Sequence, residues 1–197
     1  MAKVGLAYLA IAPFPENHVP GTIPVYGKGV VAAQMVSANL TYDRAEVTLE
    51  ADNVTVESDS SITGGSLSLT VAQFYEEARV MAFGAIASEE EDGTPVLDTT
   101  AALPPYVGAG FIVSEQINGV ESHVANLVWK TQFSPQGLTA QTKGKQKTYQ
   151  TDTATGTFMG VQINQNSPTF VRESRFKTLG EAQAWINKRL NIEAASA

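Results

Sequence analysis

The sequence predicts a mainly β fold with flanking helices, an α+β arrangement, and three observations carry that prediction. Apolar and polar residues alternate with period two in several separate runs, as they do in strands with one buried face. An Asn-Gly pair stands in the middle of a long apolar stretch, the strongest short-range sign of a hairpin. Only two segments combine helical spacing of apolar residues with a capping signal at their start. The chain has 197 residues, of which 43% are hydrophobic and 17% charged. That length and composition suit one domain with a core of its own. We place the domain at residues 1–190, followed by a flexible C-terminal tail at 191–197.

Taken in order, "VGLAYLAI" (4–11) is an apolar first strand, and "GVVAAQMVSANLTY" (29–42) is a longer one whose character changes at Ser37-Ala38-Asn39. In the stretch 45–59, Val47 and Leu49 alternate with Glu46, Thr48 and Glu50; after Ala51-Asp52-Asn53, Val54 and Val56 alternate with Thr55 and Glu57. Alternation on both sides of a turn-rich tripeptide predicts a hairpin with one apolar and one acidic face. "SLSLTV" (66–71) alternates again. Thr70-Val71-Ala72-Gln73 has the form of a capping box and predicts a helix through "VAQFYEEARVMAF" that stops at Gly84, with Phe74, Ala78 and Met81 on one face. The acid- and proline-rich stretch 87–105 reads as a long loop. Residues 106–133 form a hairpin centred on Asn118-Gly119, and "ATGTFMGVQIN" (154–164) is the last strand. Thr178-Leu179-Gly180-Glu181 opens a second helix. Leu179, Ala182, Trp185 and Ile186 line one side of it, and Lys188 and Arg189 sit in its last turn, against the dipole.

Charge is divided along the chain. Residues 1–125 carry 4 Lys/Arg and 16 Asp/Glu, a balance of −12, whereas residues 126–197 carry 9 and 4, a balance of +5; together they make the formal net charge of −7. A domain built to read DNA would be net basic. A division of this kind suits two halves that attract one another, within a subunit or between neighbours placed head to tail.

Signals of catalysis and metal binding are sparse. There is no cysteine, so neither a disulfide framework nor a thiolate metal site is available. His18 and His123 are the only histidines; neither has ligand spacing to another His or to an Asp/Glu set, and both read as structural. Glu76 and Glu77 are adjacent helical positions, about 100° apart, and do not face each other. Glu89-Glu90-Glu91-Asp92 lacks the alternating oxygen ligands of a calcium loop. The glycines of "YGKGVV" and "ITGGS" match no phosphate-binding spacing, and no nucleophile elbow or zinc-protease helix is present. We therefore expect no enzyme, with no catalytic, cofactor-binding or metal-ligating residues. No run approaches the ~18–20 apolar residues of a membrane span, and no membrane partner is expected.

The basic residues stand out most in "TAQTKGKQKTYQTDTATGTF" (139–158), where Lys143, Lys145 and Lys147 occupy alternate positions. In an extended segment they point to one side and form a ridge able to meet an acidic face. Surfaces for single-stranded nucleic acid stack bases on several aromatics, and duplex readers add an arginine-bearing helix. Here Tyr149 is the single aromatic before the closing Phe158.

In the order of these features the chain resembles the major tail proteins, or tail tube proteins, of long-tailed phages with flexible, non-contractile tails. The resemblance lies in the opening "MAKVGLAYLAIAPF", in "VSANLTYDRAEVTLEADNVTVES", in "GGSLSLTVAQF" and in "PPYVGAGFI". It is most specific in "LVWKTQFSPQGLTAQTKGKQKTYQTDTATGTF", through Val128-Trp129-Lys130, Gln141-Thr142-Lys143-Gly144, Gln150-Thr151 and Thr155-Gly156-Thr157. It covers roughly residues 1–165; Lys145-Gln146-Lys147 is more basic than the family pattern, and the helix at 178–190 lies outside the part that aligns with it.

The resemblance implies a tail-tube-type β-sandwich with a long stacking hairpin and one or two covering helices. It implies six copies per ring, and rings stacked into a hollow tube through which DNA passes during ejection. It also implies an acidic lumen that repels phosphate, so that DNA transits without specific binding. Glu46, Glu50, Asp52 and Glu57 become candidate stacking-loop or lumen residues, and Lys143, Lys145 and Lys147 a candidate inter-subunit basic ridge. The partners implied are the chain itself, a tape measure protein and a tail terminator; the location is the virion tail, with the host cytoplasm during assembly. Two other readings remain at this point: a DNA-binding or head-closure virion component, and a monomeric β-sandwich module that binds carbohydrate. A tube of the contractile kind is a neighbouring possibility.

Overall fold

The computed structural model describes residues 2–51, 54–89, 95–98, 103–134, 150–164 and 167–193. These residues are mainly β, with nine strands and two helices. In chain order they are β1 (Ala2–Pro13), β2 (Val30–Ala51), β3 (Val54–Phe74), α1 (Glu76–Phe83), β4 (Ile86–Glu89), β5 (Pro95–Asp98), β6 (Tyr106–Ile117), β7 (Val120–Phe133), β8 (Asp152–Phe158), β9 (Val171–Phe176) and α2 (Leu179–Arg189). Six strands close a ring in the order β6-β1-β2-β3-β8-β7, with β7 pairing back to β6 and β9 added at the edge of β7. Every pairing is antiparallel.

Two of the joints in the ring are short. Strand β1 meets β2 only at Leu9–Ile11 against Ala33, Val31 and Val30, and β7 meets β8 only at Thr131–Phe133 against Phe158–Gly156. The ring therefore consists of two strand groups, β2-β3-β8 and β1-β6-β7-β9, joined at two seams. Between the groups lies one apolar cluster, formed by Leu67, Leu69, Val71 and Phe158 from the first and by Leu9, Ile11, Val107, Phe111, Val128 and Phe133 from the second. Helix α1 adds Ala78, Ala82 and Phe83 to it, through edge-on contacts of Phe83 with Phe74 and Phe133 at 5.4 and 6.3 Å between ring centres.

A second cluster covers the outer side of the β1-β6-β7 group. Ala10, Ala12, Ile112, Ala125, Leu127 and Trp129 meet Ala182, Ile186 and Leu190 of the α2 segment. The period of two explains how one strand serves both clusters: Leu9 and Ile11 face inward, Ala10 and Ala12 outward, and all four are buried. Close approach of the outer layer depends on "VGAG" in β6. A Cβ at Gly108 would lie 2.4 Å from the Tyr26 ring, and one at Gly110 2.7 Å from Ile186. Two irregularities turn aromatic residues to this side. Tyr8 is an extra residue between Ala7 and Leu9 in the pairing with β6, adopts φ 59° and donates its hydroxyl to Asn187 of α2. In β7, two residues, Trp129 and Lys130, lie between the partners of Ala109 and Val107, where the regular ladder has one, so Trp129 joins the α2 cluster while Thr131 and Phe133 return to the interior.

The sequence-level expectations fare differently element by element. The hairpin at 106–133 turns at Asn118 (φ 51°) and Gly119 (φ 81°), as Asn-Gly predicts. Thr178 caps α2 with the full capping box to Glu181. The box at Thr70 does not form: Thr70 pairs with both Ser37 and Thr153 inside β3, and α1 begins six residues later with Tyr75 as its N-cap and no side-chain cap. Burial of Leu67, Leu69 and Val71 between two partner strands outweighs a local signal worth about 1 kcal/mol. Gly84 does end α1, at φ 69°. The runs at 29–42 and 45–59 are one continuous strand and its return. The expected loop at 87–105 contains all but the first residue, Ile86, of the small β4–β5 ribbon. The expected last strand at 154–164 ends at Phe158, leaving Val161 a single bridge to Thr169. Beyond the expected boundary at 190, Ile192 still packs on the outer cluster and Glu193 reaches Lys28 at 3.1 Å.

Tyr26 ties the inner edge of the outer layer to the bulge, donating its hydroxyl to the Trp129 carbonyl at 2.6 Å. Burial pushes its pKa far above the ordinary value of 10.0. The folded chain thus keeps this proton while the unfolded chain loses it above pH 10. The associated stability is complete below pH 10 and falls by at most ~1.4 kcal/mol per pH unit above it. Urea denaturation should show Tyr26→Phe losing about 1–2 kcal/mol at pH 7. The same variant should decline less steeply than the parent between pH 10 and 12.

Candidate functional surfaces

Of the residues singled out in the sequence, Glu46, Glu50 and Glu57 lie on the long β2–β3 ribbon. Its pairing runs from Ala33–Phe74 out to Ala51–Val54. Strand β8 supports it only over Gly65–Val71, and β1 only near Val30–Ala33. From Asp43 and Gly64 outward the ribbon has no third strand among the described residues. That free part is nine residues long on β2, or roughly 30 Å at ~3.4 Å per residue. Glu46 is exposed on it, opposite Ser60. Glu50 takes the position opposite Thr55 and Glu57 the position opposite Leu49, with a register irregularity between them. Glu46, Glu50 and Glu57 therefore belong to three different cross-strand pairs. Asp52 lies outside the described residues, as do Lys143, Lys145 and Lys147. The β4–β5 ribbon likewise pairs only with itself.

On the outer side of the β2-β3-β8 group the sequence reading missed a pattern that emerges only from register. Thr41 stands opposite Ser66, and Ser66 opposite Thr157; Asn39 opposite Ser68, and Ser68 opposite Thr155; Ser37 opposite Thr70, and Thr70 opposite Thr153. Nine small polar residues thus form three rows across three strands, all exposed or half-exposed, with Thr41 and Ser66 hydroxyls 2.7 Å apart. The first row continues to Gln132 on β7 and Tyr106 on β6. The signal was present in "SLSLT" and "TATGT", whose polar members alternate, but neither run reveals the other as its neighbour.

Two clefts and the histidines complete the chemistry. Where β1 diverges from β2 below their seam, a cleft of about 570 Å³ opens, lined by Leu6, Val36, Leu40, Phe111, Val113 and Glu173 among others. Beyond its apolar part, Arg175 bonds Glu115 at 2.8 Å, a pair whose carboxylate is largely buried. A second hollow of about 680 Å³ is lined by Phe14, His18, Tyr106 and Lys130, with the Lys130 ammonium 5.0 Å from the Phe14 ring centre and 4.2 Å from that of Tyr106. His18 stacks edge-on against Phe14 at 5.5 Å. His123 shares a hydrogen bond of 2.9 Å with Ser114 across β6 and β7, which pins the two strands. Among the described residues no three His, Asp or Glu side chains gather as metal ligands would, and no helix is long and apolar enough to cross a membrane. No protein-family model matches this sequence, and no curated protein does.

The three rows form a lattice of polar side chains that depends on a close fit beneath it. Tyr42 and Phe158 meet edge-on at 5.7 Å across Gly65, the residue paired with both. A Cβ there would lie 2.1 Å from the Thr41 carbonyl oxygen and 2.4 Å from the Phe158 ring. Gly65→Ala should cost about 1–3 kcal/mol in thermal unfolding, with the far-UV spectrum of the β fold retained.

Proposed function

We propose that this chain is the building unit of a phage tail tube of the non-contractile type. Six copies form a ring, rings stack into a hollow tube, and DNA passes through the tube during ejection without specific binding. The observation that supports this reading most is the free part of the β2–β3 ribbon. A two-stranded ribbon without a third strand or an apolar support is marginal in water, and its edges invite pairing with another chain. A neighbouring copy that receives the ribbon removes both problems, and repetition of a heterologous contact builds a closed ring or an open stack. The sequence motifs shared with tail tube proteins point the same way.

In this reading the two strand groups are the sheets of a tail-tube-type β-sandwich, with α2 as its covering helix. Glu46, Glu50, Asp52 and Glu57 belong to the stacking arm. Lys143, Lys145 and Lys147 enter from the sequence alone, as the basic ridge of an adjacent subunit. A tape measure protein inside the tube and a terminator at its end are the partners, and the virion tail is the location, after assembly in the host cytoplasm.

Electron microscopy of the purified protein at high concentration should show hollow tubes with an axial repeat; persistent monomers under all conditions, with absence from virions, would overturn the reading. Thr48 pairs with Ser58, so residues 49–57 can be replaced by Asn-Gly as a two-residue hairpin turn. That variant should unfold at an unchanged midpoint yet form no tubes. Replacing Lys143, Lys145 and Lys147 together by Glu should leave particles at the mass of a single subunit in light scattering.

A further inference from the structure

We propose that the lattice of Ser37, Asn39, Thr41, Ser66, Ser68, Thr70, Thr153, Thr155 and Thr157 faces the lumen of the tube, where it is the wall past which a polyanion slides. This rests on the tube reading above. None of the nine residues is charged, in a chain of formal net charge −7. Their rows lie across the outer face of β2, β3 and β8, while the outer face of the opposite group is covered by α2. A duplex gains affinity for a surface when cations replace its condensed counterions, and these side chains offer none. Nor do they offer an aromatic ring on which an unpaired base could stack. Short hydroxyl and amide groups hold a layer of water and present no long side chain that must be moved aside.

The rest of the subunit agrees with this orientation. Glu181, Ala184 and Lys188 are exposed on α2, the mixed surface of an element turned to bulk solvent. The candidate acidic positions Glu46 and Glu50 lie on the free part of the ribbon, beyond the lattice rows. Repulsion by carboxylates then belongs to the arm, and passage along the subunit body depends on an uncharged, hydrated wall.

The chain has no cysteine, so single cysteines report position without a background. Thr155→Cys and Ser68→Cys would be compared with Ala184→Cys on α2, in assembled tubes and in dispersed subunits. The probes are N-ethylmaleimide and a maleimide carried on a polyethylene glycol too large to enter the tube. The lattice cysteines should react with the small reagent in both states, but with the large one at least tenfold more slowly in tubes; Ala184→Cys should react with both throughout. Equal reaction of Thr155→Cys with the large reagent in tubes and subunits overturns the orientation while leaving the tube intact. Protection from both reagents places the face in a subunit contact and overturns it as well. If the parent chain forms no tubes, it is the tube reading that fails, and the orientation falls with it.

Discussion

Strands β1, β6 and β7 are buried on both faces, and most of the architecture is a response to that. A strand with one wet face can place any polar residue there, but a strand between two apolar layers must find small or apolar residues at every position. Ala10 and Ala12 back the large Leu9 and Ile11; Gly108 and Gly110 back Val107, Ala109 and Phe111. The small residues on the outer side admit Tyr26 and Ile186 against the backbone itself. Two outward aromatic residues, Tyr8 and Trp129, stand at bulges. With α2 committed to this side, no helix among the described residues covers the β2-β3-β8 group, and the rows of Ser, Thr and Asn make its outer face polar.

That division also explains which parts of the fold are legible in the sequence. Asn118-Gly119 and the Thr178-Glu181 box depend on residues within four positions of one another, and both form as read. The Thr70-Gln73 box is equally local but sits on residues that two neighbouring strands also need, and the strands win. Strand β9 was not anticipated because "VRESRF" carries three charges in six residues. Its charges are accommodated by a sheet edge: Arg175 meets Glu115, and the Arg172 guanidinium lies 4.9 Å over Trp129. The lattice shows the same limit for function. Each strand contributes an unremarkable alternation, and only the register of three strands turns Ser, Thr and Asn into a continuous surface.

The candidate residues themselves divide along similar lines. Alternation placed Glu46 and Glu50 on the ribbon, but the irregularity between Glu50 and Glu57 lies in strand pairing and leaves no trace in composition. Among the described residues the acidic side chains of the first 125 positions are not gathered on one surface: Glu46 is exposed on the free ribbon, Glu76 and Glu77 stand in the first turn of α1, and Glu115 is buried beside Arg175. Charge counts along a chain measure the total supply of carboxylates, whereas attraction between subunits depends on where register puts them.

The two short seams have a mechanical consequence. Load applied across the ring meets ladders of very unequal strength, because β1 and β6 share a pairing that runs from Ala2 to Pro13, whereas β1–β2 and β7–β8 are each held by three register pairs. Strain concentrates at the weaker joints, so the two strand groups pivot about the seams before either group loses its own hydrogen bonds. Stiffness in this molecule is thus directional: each half behaves as a plate, and the joints between them are where it yields.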